Sequence, residues 1–134
     1  MKTAIFVLIC LCVIPYVMAV ISGYFRQKQL GKVDNQNPRA QYTQLEGVGA
    51  RAVAAQQNAW EALAIYSASL LAVVASGVQV EHLAEAAVVV LFARLLHGIF
   101  YLTNLDKLRT LSFTIAIAAC FYLFYQVAAG LMLR

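Results

Sequence analysis

Four apolar stretches separated by short polar spacers leave this chain almost no choice of architecture. They cover residues 4–25, 49–76, 83–102 and 110–133 of a 134-residue sequence. Each matches the roughly 20 residues that an α-helix needs to cross a bilayer at about 1.5 Å per residue. With 63% hydrophobic and 12% charged residues and a mean hydropathy of +0.75, the chain lies far from soluble domains, which are roughly 45–50% apolar and about 25% charged. It has only two prolines and seven glycines, which removes collagen-like and low-complexity alternatives and leaves a single domain. The spacers 77–82 and 103–109 are too short for anything but antiparallel neighbours. The expected fold is an all-α integral membrane protein, an up-down bundle of four transmembrane helices forming one domain over residues 1–134. Pro15 interrupts the first stretch, which a membrane helix tolerates when its neighbours cover the freed carbonyl.

Met1-Lys2, the apolar run behind it and Val17-Met18-Ala19 also have the form of a secretory signal with its cleavage site. The run continues to Phe25, however, and cleavage would leave three helices where four pair naturally, so an uncleaved first helix is expected. Lysine and arginine set the orientation. Arg26, Lys28, Lys32, Arg39, Lys107 and Arg109 share one face, and Lys2 and Arg134 lie on the other. The positive-inside rule then makes the first and third loops cytoplasmic and puts both termini on the non-cytoplasmic side. Topology alone accounts for the net charge of +4, so no nucleic-acid partner is expected. Cys10, Cys12 and Cys120 are an odd number within apolar segments, without C-x-x-C spacing, and read as small buried hydrophobes. His82 and His97 are about 22 Å apart along one helix, so no metal is expected.

The informative residues are the polar ones inside the spans. Arg51, Asn58 and Glu61 stand at i, i+7 and i+10 in the second segment, and Arg94, His97 and Tyr101 at i, i+3 and i+7 in the third. Each set falls on one helical face. Glu61 lies about 18 Å below Gly49 and Arg94 about 15 Å from Asn104 on the antiparallel neighbour. Opposite charges therefore reach similar depth, where an ionised side chain needs a partner or a water-filled cavity. A Glu61–Arg94 ion pair that only holds the bundle together is one reading. The surplus of Arg51, Asn58, His97, Tyr101 and Arg109 on the same half points to a second, a pocket for an anionic ligand. An ion or proton path through the charged midplane is a third. Ala55, Ala59, Ala64, Ala68, Ala72 and Ser76 form a small-residue stripe suited to close helix contact.

The run Arg51-Ala52-Val53-Ala54-Ala55-Gln56-Gln57-Asn58-Ala59-Trp60-Glu61, then Arg94-x-x-His97-x-x-x-Tyr101 and Leu108-Arg109-Thr110, resembles the MAPEG family, the membrane-associated proteins of eicosanoid and glutathione metabolism. The likeness includes the four-helix layout and the Gly23-x-x-Arg26 exit from the first helix, and it covers nearly the whole chain. It implies a homotrimer with glutathione as co-substrate, bound in cytoplasmic-side clefts between subunits. By the same resemblance Asn58 and Glu61 hold the peptide, Arg51 is the basic residue beside them, and Arg26 reaches a neighbour's ligand. Arg94, His97 and Tyr101 complete the cleft, and Arg109 lies near the sulfur as the catalytic residue. Ala54 departs from the pattern, since many members carry a basic residue there.

These residue types suit the implied chemistry. Glutathione carries two carboxylates and an amine, which arginines and one glutamate can meet, and a guanidinium favours the thiolate needed to attack an electrophile. The implied reaction is conjugation of glutathione to apolar electrophiles, or reduction of lipid hydroperoxides, with the apolar partner drawn from the bilayer. A non-catalytic, lipid-binding or structural protein of the same fold is the alternative, and Arg109 with Lys107 can be read as a topology anchor. Trimer contacts are expected along the alanine-rich face. Glu61→Gln and Asn58→Ala are expected to weaken glutathione binding more than folding.

Overall fold

A computed structural model describes residues 1–133. The described residues form α1 (Lys2–Leu30), α2 (Pro38–Tyr42), α3 (Gly47–Ser76), α4 (Leu83–Leu102) and α5 (Asp106–Met132). All but α2 are long and apolar enough to cross a membrane. Arg134, counted above among the outer-face cations, lies outside the described residues. Two helix ends depart from the apolar boundaries by more than two residues. α1 runs past Phe25 to Leu30, because Arg26, Gln27, Lys28 and Gln29 are good helix formers and the helix stops only where Gly31 takes a left-handed φ of 77° and donates its N–H to Gln27 O. α5 starts at Asp106, ahead of Thr110, with that carboxylate in its first turn at the positive end of the helix.

α1 packs mainly against α3 and α4 mainly against α5, and contacts of α3 with α5, α1 with α4 and α3 with α4 close the bundle. The core is built from Ala4, Val7 and Leu11 of α1, Ala59, Tyr66 and Leu70 of α3, Ala87 and Val90 of α4, and Cys120 of α5. Tyr66 is fully enclosed and its hydroxyl donates to Ala4 O at 2.9 Å, tying α3 to the start of α1. The outside is as apolar as the inside, with Phe6, Val20, Leu71, Phe92, Phe121 and Tyr125 all exposed. Burial of apolar surface from water therefore cannot be what joins these helices. Close approach is, since lipid leaves van der Waals packing as the main attraction. A Cβ on Gly49 would stand 2.9 Å from Phe25 Cβ, and one on Gly130 2.5 Å from Val78 Cγ1.

The alanine stripe does not stay on one side. Ala55 and Ala59 are buried within the protomer, while Ala64 and Ala68 face outward. Ala59 and Ala64 are five apart, and five residues advance by about 500°, so the row swings some 140° around the helix at that step. The cysteines also divide: Cys120 is buried and Cys10 half-buried, but Cys12 is exposed. The expectation of three buried cysteines fails at Cys12 because Leu11 and Ile14 occupy the inward side of α1, leaving Cys12 to point out.

Candidate functional site

The polar residues gather toward the end of the bundle that carries the 31–46 loop and the α4–α5 turn. Arg51, in the second turn of α3, donates from Nε to Leu102 O at 3.2 Å and so bridges the start of α3 to the end of α4. Two turns further along α3, Asn58 faces α4. Arg94 Nη2 donates to Asn58 Oδ1 at 2.7 Å and to Asn58 O at 3.2 Å. A guanidinium has only donors, so this contact fixes the amide with its oxygen inward and its nitrogen toward Glu61, where Nδ2 donates to Oε2 at 3.4 Å. Arg94 is 3% exposed, whereas Glu61 lies on the open face of α3.

Glu61 is within electrostatic range of Arg94, yet the described residues form no Glu61–Arg94 ion pair. Asn58 stands between them. Three residues advance about 300° around a helix, so Glu61 is turned some 60° away from the side of α3 that meets α4. The two-residue clamp is thus replaced by a three-residue relay, in which the buried cation orients an amide and the amide meets an outward carboxylate.

A second network joins α4 to α5. His97 is also 3% exposed, and its Nδ1 lies 3.1 Å from Arg109 O. A carbonyl only accepts, so Nδ1 carries the proton and donates. The other ring nitrogen, Nε2, is buried without a partner among the described residues. The His97 ring meets Tyr101 edge to face at 5.4 Å between centroids. The Arg109 guanidinium lies over the same Tyr101 ring at 4.5 Å, a cation–π contact. Ser112 Oγ donates to the same Arg109 carbonyl at 2.9 Å.

Arg26 stands apart from both networks. It is 6% exposed and its guanidinium sits 5.4 Å over the Tyr42 ring of α2. Tyr42 is held there by its neighbour Gln41, a buried amide that accepts from Asp34 N at 2.8 Å and donates to Lys32 O at 2.9 Å. Asp34 accepts from Gln36 N and Asn37 N, and those two N–H groups hold its carboxyl below the ordinary 3.8. Neither Gln41 nor Tyr42 was singled out by sequence reasoning. The available signal was Asn37-Pro38, a proline placed where it opens a helix.

The structure thus brings Arg51 near the end of α4, links Arg94, Asn58 and Glu61, and links His97, Tyr101 and Arg109. Asn58 Nδ2, the Glu61 carboxylate and the half-buried Arg51 and Arg109 face outward enough to meet a ligand. Together they offer cations and an amide donor for carboxylates or a thiolate, and one carboxylate for an ammonium. Ala54, where the resemblance implies a basic residue, is half-buried. Against the lipid-facing side, Val13, Val17 and Met18 of α1 and Leu95, Ile99 and Leu102 of α4 line an apolar groove of about 480 Å³.

The sequence profile of the MAPEG family matches residues 3–129, nearly the whole chain. No curated protein and no solved structure matches the chain.

Proposed function

Since the chain belongs to the MAPEG family, and so to the multi-pass integral membrane proteins of that group, we propose that it binds glutathione and transfers its thiolate to apolar electrophiles or uses it to reduce lipid hydroperoxides. The observation that carries this reading is the outward Asn58–Glu61 pair backed by Arg94. A carboxylate on the open face of a membrane helix costs at least about 2.5–3.5 kcal/mol unless something outside that helix meets it. The ammonium of glutathione is a fitting partner for Glu61, and Asn58 Nδ2 and Arg51 suit its carboxylates.

Closure of the site calls for a neighbour, and a homotrimer with cytoplasmic clefts supplies one. In that arrangement both termini are non-cytoplasmic, in line with the lysine and arginine bias. Arg109 beside the sulfur favours the thiolate. The thiol gives up its proton to solvent, the sulfur lone pair forms the new C–S bond, and the leaving group departs with the bonding electrons. The groove between α1 and α4 is suited to an apolar electrophile arriving from the bilayer.

Mixing the purified protein with glutathione tests ligand and activation together. A rise in ultraviolet thiolate absorbance near neutral pH is expected, and its absence at saturating glutathione would refute the reading. Crosslinking in mild detergent is expected to stop at trimer, and monomer alone would remove the shared cleft. Ala54 and the wholly apolar groove favour a second reading, a non-catalytic lipid-binding protein of the same fold. That reading gains if labelled lipid binds while glutathione gives no thiolate.

A further inference from the structure

The link between α1 and α3 is much longer than joining them requires. A Cβ on Gly49 would stand 2.9 Å from Phe25 Cβ, so the two helices already touch where the link begins and ends. Gln29 closes its base with both ends of one amide: Nε2 donates to Glu46 O and Oε1 accepts from Glu46 N, each at 3.1 Å. Packed helices are commonly joined by about two to eight residues, yet here the chain makes an excursion over residues 31–46. Polar excursions of this kind are mobile unless something pins them. This one is pinned in its middle by Gln41, which is 6% exposed and draws Asp34 N and Lys32 O together at 2.8 and 2.9 Å. The next residue, Tyr42, carries the ring that lies 5.4 Å from the Arg26 guanidinium.

We propose that Tyr42 is a positioning residue for Arg26, held in place by a loop folded around Gln41, and that it seats the guanidinium for a carboxylate of the glutathione bound in the neighbouring subunit's cleft. This inference rests on the reading of the protein as a glutathione-binding homotrimer.

The state of Arg26 argues for it. Its side chain is 6% exposed and its Nε–H finds no acceptor. No carboxylate among the described residues forms an ion pair with it. A buried cation left unpaired is costly, so its anionic partner has to come from outside the protomer. The contact with Tyr42 uses the face of a ring and none of the five N–H donors, which leaves them all for that partner. A long cationic side chain near a helix end otherwise snorkels to water and loses its large rotamer freedom only when ligand binds. Tyr42 takes up that loss in advance, which raises affinity without adding a contact to the ligand. The residues from Gly31 to Glu46 thus form a built arm whose product is the placement of one ring.

Titration calorimetry with glutathione on the purified protein tests the ring. Tyr42→Leu, which keeps apolar bulk, is expected to weaken glutathione binding by about two- to fivefold, the worth of one cation–π contact. Tyr42→Phe is expected to match wild type, because the contact needs the ring and not its hydroxyl. In an Arg26→Leu background the Tyr42→Leu penalty is expected to vanish, since its only route to the ligand has been removed. The arm is tested without ligand: in Gln41→Leu, amide hydrogen exchange over 32–37 is expected to speed up by about three- to tenfold, a hydrogen bond's worth.

Glutathione binding that ignores Tyr42→Leu overturns the inference. So does a penalty that persists in the Arg26→Leu background, which makes Tyr42 a support for the fold or a ligand contact of its own. Unmoved exchange in Gln41→Leu removes the arm that holds the ring. If wild type binds no glutathione at all, the glutathione reading itself is refuted and this inference falls with it, an outcome distinct from the others, in each of which wild type binds.

Discussion

Truncating Asn58, which is half-exposed, is expected to harm the fold more than deleting Arg94, which is buried. Asn58→Ala removes the acceptor that Arg94 reaches at 2.7 Å and leaves it only the backbone oxygen at 3.2 Å. A hydrogen bond to a charged group is worth about 1.5–3 kcal/mol. The remaining contact keeps the loss below the about 3–5 kcal/mol of a fully stranded buried charge. Arg94→Met loses the same two bonds but also removes a desolvated cation that costs about 2.5–3.5 kcal/mol to hold at membrane depth, together with its unpartnered Nη1. The two effects nearly cancel. Arg94→Met is thus expected within about 1 kcal/mol of wild type and Asn58→Ala about 2 kcal/mol below it. Denaturing-detergent titration followed by circular dichroism measures both. In the double variant the Asn58→Ala penalty is expected to vanish, because its cause has been removed. The reasoning fails if Arg94→Met is the less stable single variant, or if the penalty persists in the double. This revises what the sequence suggests for Asn58→Ala, since the residue supports a buried arginine as well as facing the cleft.

Glu61→Gln is the cleaner binding variant, because its own-chain hydrogen bond is a long one from Asn58; glutathione affinity is expected to fall by about 10- to 150-fold with the unfolding midpoint unmoved, as isothermal titration can check. Arg109→Ala is expected to keep glutathione bound while turnover with a model electrophile falls about tenfold for each unit by which the bound thiol's pKa rises; unchanged turnover would leave Arg109 and Lys107 as topology anchors. Gly130→Ala is expected to destabilise the bundle more than Gly98→Ala in thermal unfolding, since the new methyl meets stiff, β-branched Val78 at 2.5 Å in one case and the flexible tip of Met18 at 2.7 Å in the other. The Asp34 turn, whose carboxylate is stabilised by two N–H groups, is expected to be fully ordered above the ordinary 3.8 and to loosen as pH falls through the lowered value. Hydrogen exchange at Gln36 and Asn37 reports it.

The spans, their number and the two polar faces were legible because length and 3.6-residue periodicity survive any environment. Which way each helix turns was not. In water, polarity marks the outside, but here Phe92 and Leu71 are exposed while Val90 and Leu70 are buried, so hydrophobicity carries no contrast between faces. The same lack of contrast hid the outward turn of Cys12. The stripes showed that Glu61 and Arg94 share a depth, but Asn58 stands between them because of a 60° difference in heading. Tyr42 over Arg26 was hidden for another reason. It depends on a loop folded around one glutamine side chain, which has no periodicity to read.

α4 is the short member of the bundle. Its 20 residues reach about 30 Å, the mean thickness of the bilayer's hydrocarbon core. α1 and α3, with 29 and 30 residues, reach about 45 Å. The longer helices can absorb a thicker membrane by tilting, but α4 has no slack, and its final turns carry Arg94, His97 and Tyr101. A membrane thicker than α4 therefore draws those groups deeper, at a cost of fractions of a kcal/mol per Å. The polar half of the protein is thereby coupled to acyl-chain length: the lipid composition of the host membrane sets how deep Arg94, His97 and Tyr101 lie.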